Sequence, residues 1–221
     1  MLRNNGIPSA RFFLVAGLIA LSSSGASFAE RLLGRAEIEK LQQSFKIQSE
    51  MSIDFTQTQV KKLRGKTSTS LGRAYFKQPD SFRWQLISPK QDEWLYDGKN
   101  LYNFIPDRLQ ATRYDANGTK GRELRQIVDL VTNISSLTKS YDFTEVKEVS
   151  TLLELTLTPK TKGELAGVTL SILKDSLEPK SLILRFQNDN PTKLEFSGMS
   201  KGGLSDSTFS LPKGVTVETV K

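Results

Sequence analysis

Two spacings of hydrophobic residues alternate along the chain, and together they predict a mainly β protein with some helix. In residues 30–49, Ile38, Leu41 and Phe45 recur at intervals of three and four among Glu, Lys and Gln, which predicts an amphipathic helix. The next segment, 51–60, alternates apolar and polar side chains with a period of two. That alternation predicts a strand buried on one face.

The two-residue alternation returns in ten further segments and predicts eleven strands in all. These segments are 71–77, 81–87, 93–96, 101–105, 109–114, 141–149, 152–158, 168–173, 181–187 and 193–199. Asp97 and Gly98 fall between two of them and supply the positive φ angles that a tight hairpin requires. Short antiparallel strands at this spacing predict one strongly curved sheet or a barrel, with helices covering its open face.

A second helical pattern covers residues 121–137. Its apolar positions, spaced by three, one, three and three residues, are Leu124, Ile127, Val128, Val131 and Ile134. One apolar stripe implies one buried face.

Residues 1–29 differ in composition from the rest of the chain. Arg3 and Arg11 carry their only charges, and the ten apolar residues 12–21 are too few to span a bilayer. Small residues stand just before the end of this segment, as signal peptidase requires. We expect a cleaved signal peptide, followed by a single mature domain at 30–221. An uncleaved membrane anchor is the alternative.

The chain has no His and no Cys, which excludes several kinds of chemistry. Without His there is no imidazole base, no Ser-His-Asp triad and none of the usual zinc ligand sets. Without Cys there is no disulfide, no thiolate nucleophile and no lipid-modified cysteine. We expect no cofactor and no metal site. An exported domain without disulfides fits a bacterial periplasm better than eukaryotic secretion.

The charge balance is basic, with 31 Lys and Arg against 24 Asp and Glu. The positive charges are dispersed, so we expect no binding to nucleic acid. One cluster stands out, and it contains Lys61, Lys62, Arg64 and Lys66 at a predicted hairpin turn. This turn is either a docking site for anionic lipid headgroups or an acidic partner, or a solvated tip that protects the sheet edge.

Several motifs together carry a family resemblance. The central block reads Phe-Lys-Gln-Pro-Asp-Ser-Phe-Arg-Trp at 76–84 and Trp-Leu-Tyr-Asp-Gly-Lys-Asn-Leu-Tyr at 94–102. Phe-Thr-Gln at 55–57 and Phe-Ser-Leu-Pro-Lys-Gly-Val at 209–215 extend the likeness over nearly all of the mature chain. In these motifs the sequence resembles the periplasmic outer-membrane lipoprotein carriers, the LolA family.

This resemblance implies an incomplete, half-open antiparallel β-barrel of about eleven strands, covered by a helical lid. It also implies a monomer that takes lipoproteins from an inner-membrane ABC transporter and passes them to an outer-membrane acceptor. The expected lipid-binding residues are Phe55, Phe76, Phe82, Trp84, Leu86, Trp94 and Tyr96. The expected lid residues are Gln78, Leu124, Ile127, Val131 and Ile134. A plain packed core and an ordinary packing helix are the alternatives for these two sets.

Gln78 departs from the family pattern. Members of the family commonly carry Arg immediately before the proline that is here Pro79, where the guanidinium is thought to hold the lid. A neutral amide offers two donors instead of a charged five-donor fork. The closed state is then held more weakly, or Lys77 or Arg73 takes the place of the arginine.

Other functions stay open at this point. A lipid- or lipoprotein-sensing regulatory protein of the same fold is the main alternative. The membrane-anchored acceptor of this fold needs a lipidated Cys, which the chain does not have. An enzyme is not expected, because Asp97 and Asp107 fall at predicted turns; one of glycan or lipid metabolism would need a clustered pair of carboxylates.

Overall fold

The computed structural model describes residues 31–44, 50–61, 65–133 and 137–220. Within them, thirteen strands form one sheet. The strands are β1 (Arg31–Leu32), β2 (Glu50–Lys61), β3 (Lys66–Lys77), β4 (Ser81–Ser88), β5 (Asp92–Asp97), β6 (Leu101–Ile105), β7 (Gln110–Tyr114), β8 (Tyr141–Val149), β9 (Leu152–Pro159), β10 (Leu165–Leu173), β11 (Pro179–Phe186), β12 (Thr192–Lys201) and β13 (Thr216–Thr219). The prediction of a mainly β protein is confirmed.

The sheet is open, with strand order β1-β8-β9-β10-β11-β12-β2-β3-β4-β5-β6-β7-β13. Neighbouring strands pair in antiparallel fashion, except that β13 runs parallel to β7. The eleven predicted strands correspond to β2 through β12. The two further strands, β1 and β13, are short segments at the ends of the sheet whose pairing comes from their neighbours and not from an alternating pattern.

The helices in the described residues are α1 (Arg35–Ser44), α2 (Thr119–Thr132) and α3 (Leu137–Ser140), with 3-10 turns at Pro106–Arg108 and Asp206–Phe209. None of them is long and apolar enough to cross a membrane. The segment formed by α2 and α3 joins β7 to β8, which lie near opposite ends of the sheet.

The first helix is shorter than predicted. The prediction began at residue 30, but Arg31 forms β1, where it pairs with Glu148 of β8 and its guanidinium also contacts Glu37. Ile38 and Leu41 pack against the core, as the pattern indicates. Phe45, which belongs to the same prediction, lies outside the described residues.

The second helix was predicted to reach residue 137, and that end is wrong. α2 ends at Thr132, because Asn133 has non-helical backbone angles, and Leu137 begins the separate helix α3. The predicted signal peptide falls on residues that the structure does not describe.

The largest cluster of buried side chains lies on one face of the sheet. Buried apolar side chains from β2 to β6, from β8 to β12 and from both α2 and α3 form one continuous cluster. Since strands from the whole width of the sheet contribute to it, the sheet curves around this cluster. Each strand contributes alternate residues, such as Met51, Ile53 and Phe55 of β2.

The opposite, convex face carries a buried ion pair. The Arg83 guanidinium lies 2.6 Å from a carboxylate oxygen of Glu93, and Gln85 donates to the other oxygen at 2.9 Å. Arg83 also donates to the carbonyl oxygen of Thr208 at 3.0 Å. This network therefore fastens the C-terminal segment to β4 and β5.

Candidate functional site

An apolar cavity of about 260 Å³ lies between α2 and the concave face of the sheet. Its walls come from β2, β4, β5, β11 and β12 on one side and from α2 on the other. The lining residues are Gln57, Gln59, Phe82, Trp84, Leu86, Asp92, Trp94, Leu124, Ile127, Val128, Leu184, Phe186, Thr192 and Leu194. We call this space the acyl cavity, after the ligand proposed below.

The aromatic wall of the acyl cavity consists largely of alternate residues of β4. Phe82, Trp84 and Leu86 alternate along β4 and all line the cavity, as predicted for one face of this strand. Trp94 lies directly opposite Trp84 in the antiparallel pair of β4 and β5. The Phe55 ring packs behind this wall, with its centroid 4.4 Å from that of Trp84.

Gly72 makes this packing possible. It lies opposite Phe55 on β2 and Leu86 on β4. A Cβ atom at this position would overlap the Phe55 ring and the carbonyl oxygen of Gln85. Only glycine allows the ring to lie this close to the backbone.

The predicted site residues divide into two groups. The structure brings together Phe82, Trp84, Leu86, Trp94, Leu124 and Ile127 around the acyl cavity. It places Phe55, Phe76, Tyr96 and Val131 in the buried core and not in the wall of this cavity. Ile134 lies outside the described residues.

The residues of the far wall of the acyl cavity were not among those predicted to bind lipid. Leu184 and Phe186 from β11 and Leu194 from β12 form it, opposite the aromatic wall. Both strands alternate apolar and polar residues, so the signal for one buried face was present. The alternation does not distinguish a cavity wall from solid core.

A second, smaller cavity of about 120 Å³ lies beside the first and contains Gln78. Phe82 and Val128 line both cavities, while Arg125 and Asp129 of α2 line only the smaller one. Gln78 and α2 therefore border the same small cavity. Gln78 is an exposed residue at the rim of this cavity.

Lys77 and Arg73, which were considered as replacements for the family arginine, both form ion pairs with other groups. The Lys77 ammonium pairs with Glu50 and Asp206, and the Arg73 guanidinium pairs with Asp54. Glu50 and Asp54 alternate with the inward residues of β2, so both pairs lie on the convex side. Arg125 is a basic group of α2 that lines the small cavity and contacts the sheet at Tyr96.

Two titratable groups near α2, Asp129 and Tyr141, have raised pKa values. Burial, together with the charge of Asp80, raises the pKa of Asp129, and Arg125 opposes this shift. Burial and the charge of Asp129 raise the pKa of Tyr141 to about 12. The buried Tyr141 hydroxyl has no hydrogen-bond partner among the described residues.

The two carboxylates considered for catalysis lie at turns, as predicted. Asp97 accepts hydrogen bonds from the backbone N–H groups of Lys99 and Asn100 at 2.8 and 2.7 Å. Asp107 lies in the 3-10 turn that follows β6. Across the described ranges, no group of three acidic, His or Cys residues is placed to hold a metal ion.

The fold and the site together define a class: an open, curved, mainly antiparallel sheet with an apolar cavity beneath a crossing helix. The chain belongs to the LolA family, because the family model described as "Outer membrane lipoprotein carrier protein LolA" matches residues 46–212. The recognition made from the sequence motifs is therefore confirmed.

Related proteins agree with this assignment, and a solved structure shares the fold. The outer-membrane lipoprotein carrier protein of Pseudomonas putida strain GB-1 is 28% identical over 194 residues, which cover 83% of this chain and 88% of the relative. The protein of the same name from Proteus mirabilis is 25% identical and covers 90% and 94% of the two chains. An uncharacterized conserved protein from Thermus thermophilus shares the fold, with a TM-score of 0.54, 13% identity and coverage of 85% and 100%.

Proposed function

We propose that this protein is a periplasmic carrier that holds the acyl chains of lipoproteins in the acyl cavity. The observation that carries the proposal is the composition of this cavity, in which aromatic and aliphatic side chains of β4, β5, β11 and β12 face those of α2. In this role the protein receives a lipoprotein from an inner-membrane ABC transporter and delivers it to an acceptor in the outer membrane. It acts as a chaperone and not as an enzyme.

The exposure of the wall supports this role. Trp84, Leu86 and Trp94 on the sheet are only half-buried, and so are Leu124 and Ile127 on α2. Apolar side chains of this size are normally buried in a closed core. Their partial exposure in the cavity wall leaves apolar surface that a ligand can cover.

The energetics show why an acylated protein needs a carrier. Three acyl chains contain on the order of 45 methylene groups, and each costs about 0.8 kcal/mol to transfer into water. The gross cost is tens of kcal/mol, so unassisted crossing of an aqueous compartment is negligible. Burial under α2 lowers this cost throughout the transfer.

The cavity must enlarge to hold such a ligand. Its 260 Å³ is below the range of roughly 300 to 1,000 Å³ that is usual for pockets of drug-sized molecules. The sheet is fixed by its ladders of hydrogen bonds, whereas α2 contacts it through side chains. We therefore assign α2 as the lid, which moves away from the sheet when acyl chains enter.

The proposal can be tested by isolating the exported protein and following delivery of its cargo. The full chain is expressed in a Gram-negative host, purified from the periplasm and analysed by mass spectrometry for acylated proteins. The same preparation gives the N-terminus, which the signal-peptide prediction places at Glu30. Purified cargo complex is then mixed with vesicles that carry an outer-membrane acceptor, and transfer of the lipoprotein is measured.

A matched pair of variants tests the cavity itself. Leu124→Asp places a carboxylate in the wall and should abolish cargo binding. Gln126→Asp introduces the same group on the same helix at a position that lines neither cavity, and it should retain cargo. Wild-type protein that carries no acylated protein overturns the proposal. Protein that binds cargo but never delivers it points to the sensing function instead.

A further inference from the structure

A polar cleft of about 540 Å³ adjoins the acyl cavity. The two spaces share Gln59, Phe186 and Thr192 in their walls, so the cleft lies directly beside the apolar cavity. A cavity with one apolar and one polar compartment is complementary to an amphipathic molecule. The acyl chains account for the apolar compartment only.

Two lysines give the cleft its positive charge. Lys61 ends β2 on one side, and Lys120 lies in the first turn of α2 on the other. The side chains of both lysines are exposed. No ion pair joins either ammonium group to a carboxylate within the described ranges, and Glu164 is the one acidic residue in the described lining. The positive charge of the cleft is therefore in excess.

Lys120 also connects the two compartments. Its Nζ atom lies 5.5 Å from the centroid of the Trp94 ring, and Trp94 belongs to the wall of the acyl cavity. The ammonium group is thus held at the boundary between the apolar and polar spaces. A negative charge bound there would have to be attached within a few atoms of an acyl chain.

We propose that the protein also binds anionic phospholipids, with the acyl chains in the acyl cavity and the headgroup phosphate between Lys61 and Lys120. The proposal rests on the proposed acyl-binding function and adds a second class of ligand to it. The thioether-linked diacylglycerol of a lipoprotein carries no charge and does not use these ammonium groups. A phospholipid phosphate is joined to its acyl chains by a single glycerol, which suits two spaces that share wall residues.

The test compares three short-chain ligands that differ only in the headgroup. Dioctanoyl phosphatidylglycerol, dioctanoyl phosphatidylcholine and dioctanoylglycerol are titrated, below their aggregation limits and at low salt, against wild-type protein loaded with an apolar fluorescent probe. We expect the phosphatidylglycerol to displace the probe about tenfold more effectively than the uncharged dioctanoylglycerol. The zwitterionic lipid should fall between them, and the preference should decrease with added salt.

The variants assign the preference to the cleft. The double substitution Lys61→Gln and Lys120→Gln should remove the tenfold preference and leave dioctanoylglycerol binding unchanged. The double substitution Lys61→Arg and Lys120→Arg, which keeps both charges, should retain the preference. Lys180→Gln with Lys213→Gln removes two exposed charges that do not line the cleft and should have no effect.

Each contrary result has a distinct meaning. An equal preference for phosphatidylglycerol in wild type and the Gln double variant overturns this inference. Displacement by inorganic phosphate alone would show a free anion site and also overturn it. Loss of binding to phosphatidylglycerol vesicles, without loss for the monomeric lipid, would assign the lysines to membrane docking. Failure of all three ligands, including the uncharged one, contradicts the proposed acyl-binding function instead.

Discussion

The guanidinium carbon of Arg125 lies 5.8 Å from the centroid of the Tyr96 ring. This cation–aromatic contact joins α2 to β5 beside the small cavity that also contains Gln78. Immediately before Pro79, where the family resemblance implies an arginine, this chain carries the neutral amide of Gln78. A basic side chain between helix and sheet is thus donated by the helix and not by the loop that follows β3.

Replacing Arg125 tests whether this contact holds α2 in place. Arg125→Met keeps an unbranched apolar side chain but removes the charge over Tyr96, so the free energy of unfolding should fall by about 0.5 to 1 kcal/mol. An apolar fluorescent probe should bind severalfold more tightly, because α2 is displaced at lower cost. Thermal unfolding and probe titration measure both effects. Arg113→Met, on the exposed side of β7, is the control; identical behaviour of the two variants would contradict the assignment.

Restoring an arginine at position 78 should have the opposite effect. In Gln78→Arg, a charged donor faces the carboxylate of Asp129 across the small cavity. A hydrogen bond to a charged group is worth more than a neutral one, so the closed form should gain on the order of 1 kcal/mol. Probe affinity should then fall roughly fivefold while the thermal midpoint rises. Unchanged values for both would show that residue 78 does not interact with α2.

The raised pKa of Asp129 predicts a pH-dependent stability. A carboxyl whose pKa is higher in the folded than in the unfolded state stabilises the fold fully below the unfolded value of about 4, and this contribution is lost as the pH rises through the folded pKa. Asp129→Asn removes this loss. The variant should therefore be more stable than wild type at pH 7, and the difference should shrink toward pH 4.

The measurement is urea unfolding of both proteins between pH 4 and pH 8. Asp107→Asn serves as the control, because it makes the same substitution at an exposed position in a surface turn. A stability difference for Asp129→Asn that is constant over this range would refute the prediction.

The Tyr141 hydroxyl, which has no hydrogen-bond partner in the described part of the chain, predicts a stabilising substitution. Burying a hydroxyl without a hydrogen bond costs about 1 to 3 kcal/mol, so Tyr141→Phe should leave stability unchanged or raise it by about 1 kcal/mol. Tyr96→Phe is the matched control, since the Tyr96 hydroxyl donates to the Gly98 carbonyl at 3.1 Å and its loss should destabilise. A lower thermal midpoint for Tyr141→Phe than for Tyr96→Phe would be the contrary result.

The ion pair on the convex face should matter for stability but not for ligand binding. Arg83→Met leaves the buried Glu93 carboxylate without its cation, which typically costs about 3 to 5 kcal/mol. Adding Glu93→Gln should recover much of this loss. Probe affinity of the folded double variant should equal that of wild type, because neither side chain lines the acyl cavity. A large change in probe affinity would show that the two faces of the sheet are coupled.

The periodicity of apolar residues in the sequence predicted most of the strands. The alternation of Phe82, Trp84 and Leu86 predicted both the strand and its shared face, because side chains in a strand point to opposite sides in turn. Asp97 and Gly98 marked a hairpin, and Gly98 has the positive φ of 89° that the turn requires. These features depend on residues that are close together in the chain, so they can be predicted from the sequence.

The features that sequence did not reveal depend on distant residues. β1 consists of Arg31 and Leu32, and it forms because these two residues pair with β8. The contact between Arg125 and Tyr96 requires α2 to cross the sheet at one particular height, which no spacing encodes. Likewise, the empty volume beside Trp84 is set by how far the far wall lies from it. An alternating strand looks the same whether it faces a cavity or a filled core.

The connection through α2 also sets a size limit on what the protein can carry. This connection runs from residue 115 to residue 140, 26 residues in all, and the 14 residues of α2 within it span about 21 Å as a helix. Because this connection joins β7 to β8 near opposite ends of the sheet, the separation of those ends is bounded by its length. The size of the cargo is then limited by this single connection and not by the strands of the sheet. Inserting residues into the loop at 115–118 would widen the range of cargo without changing a single position of the sheet.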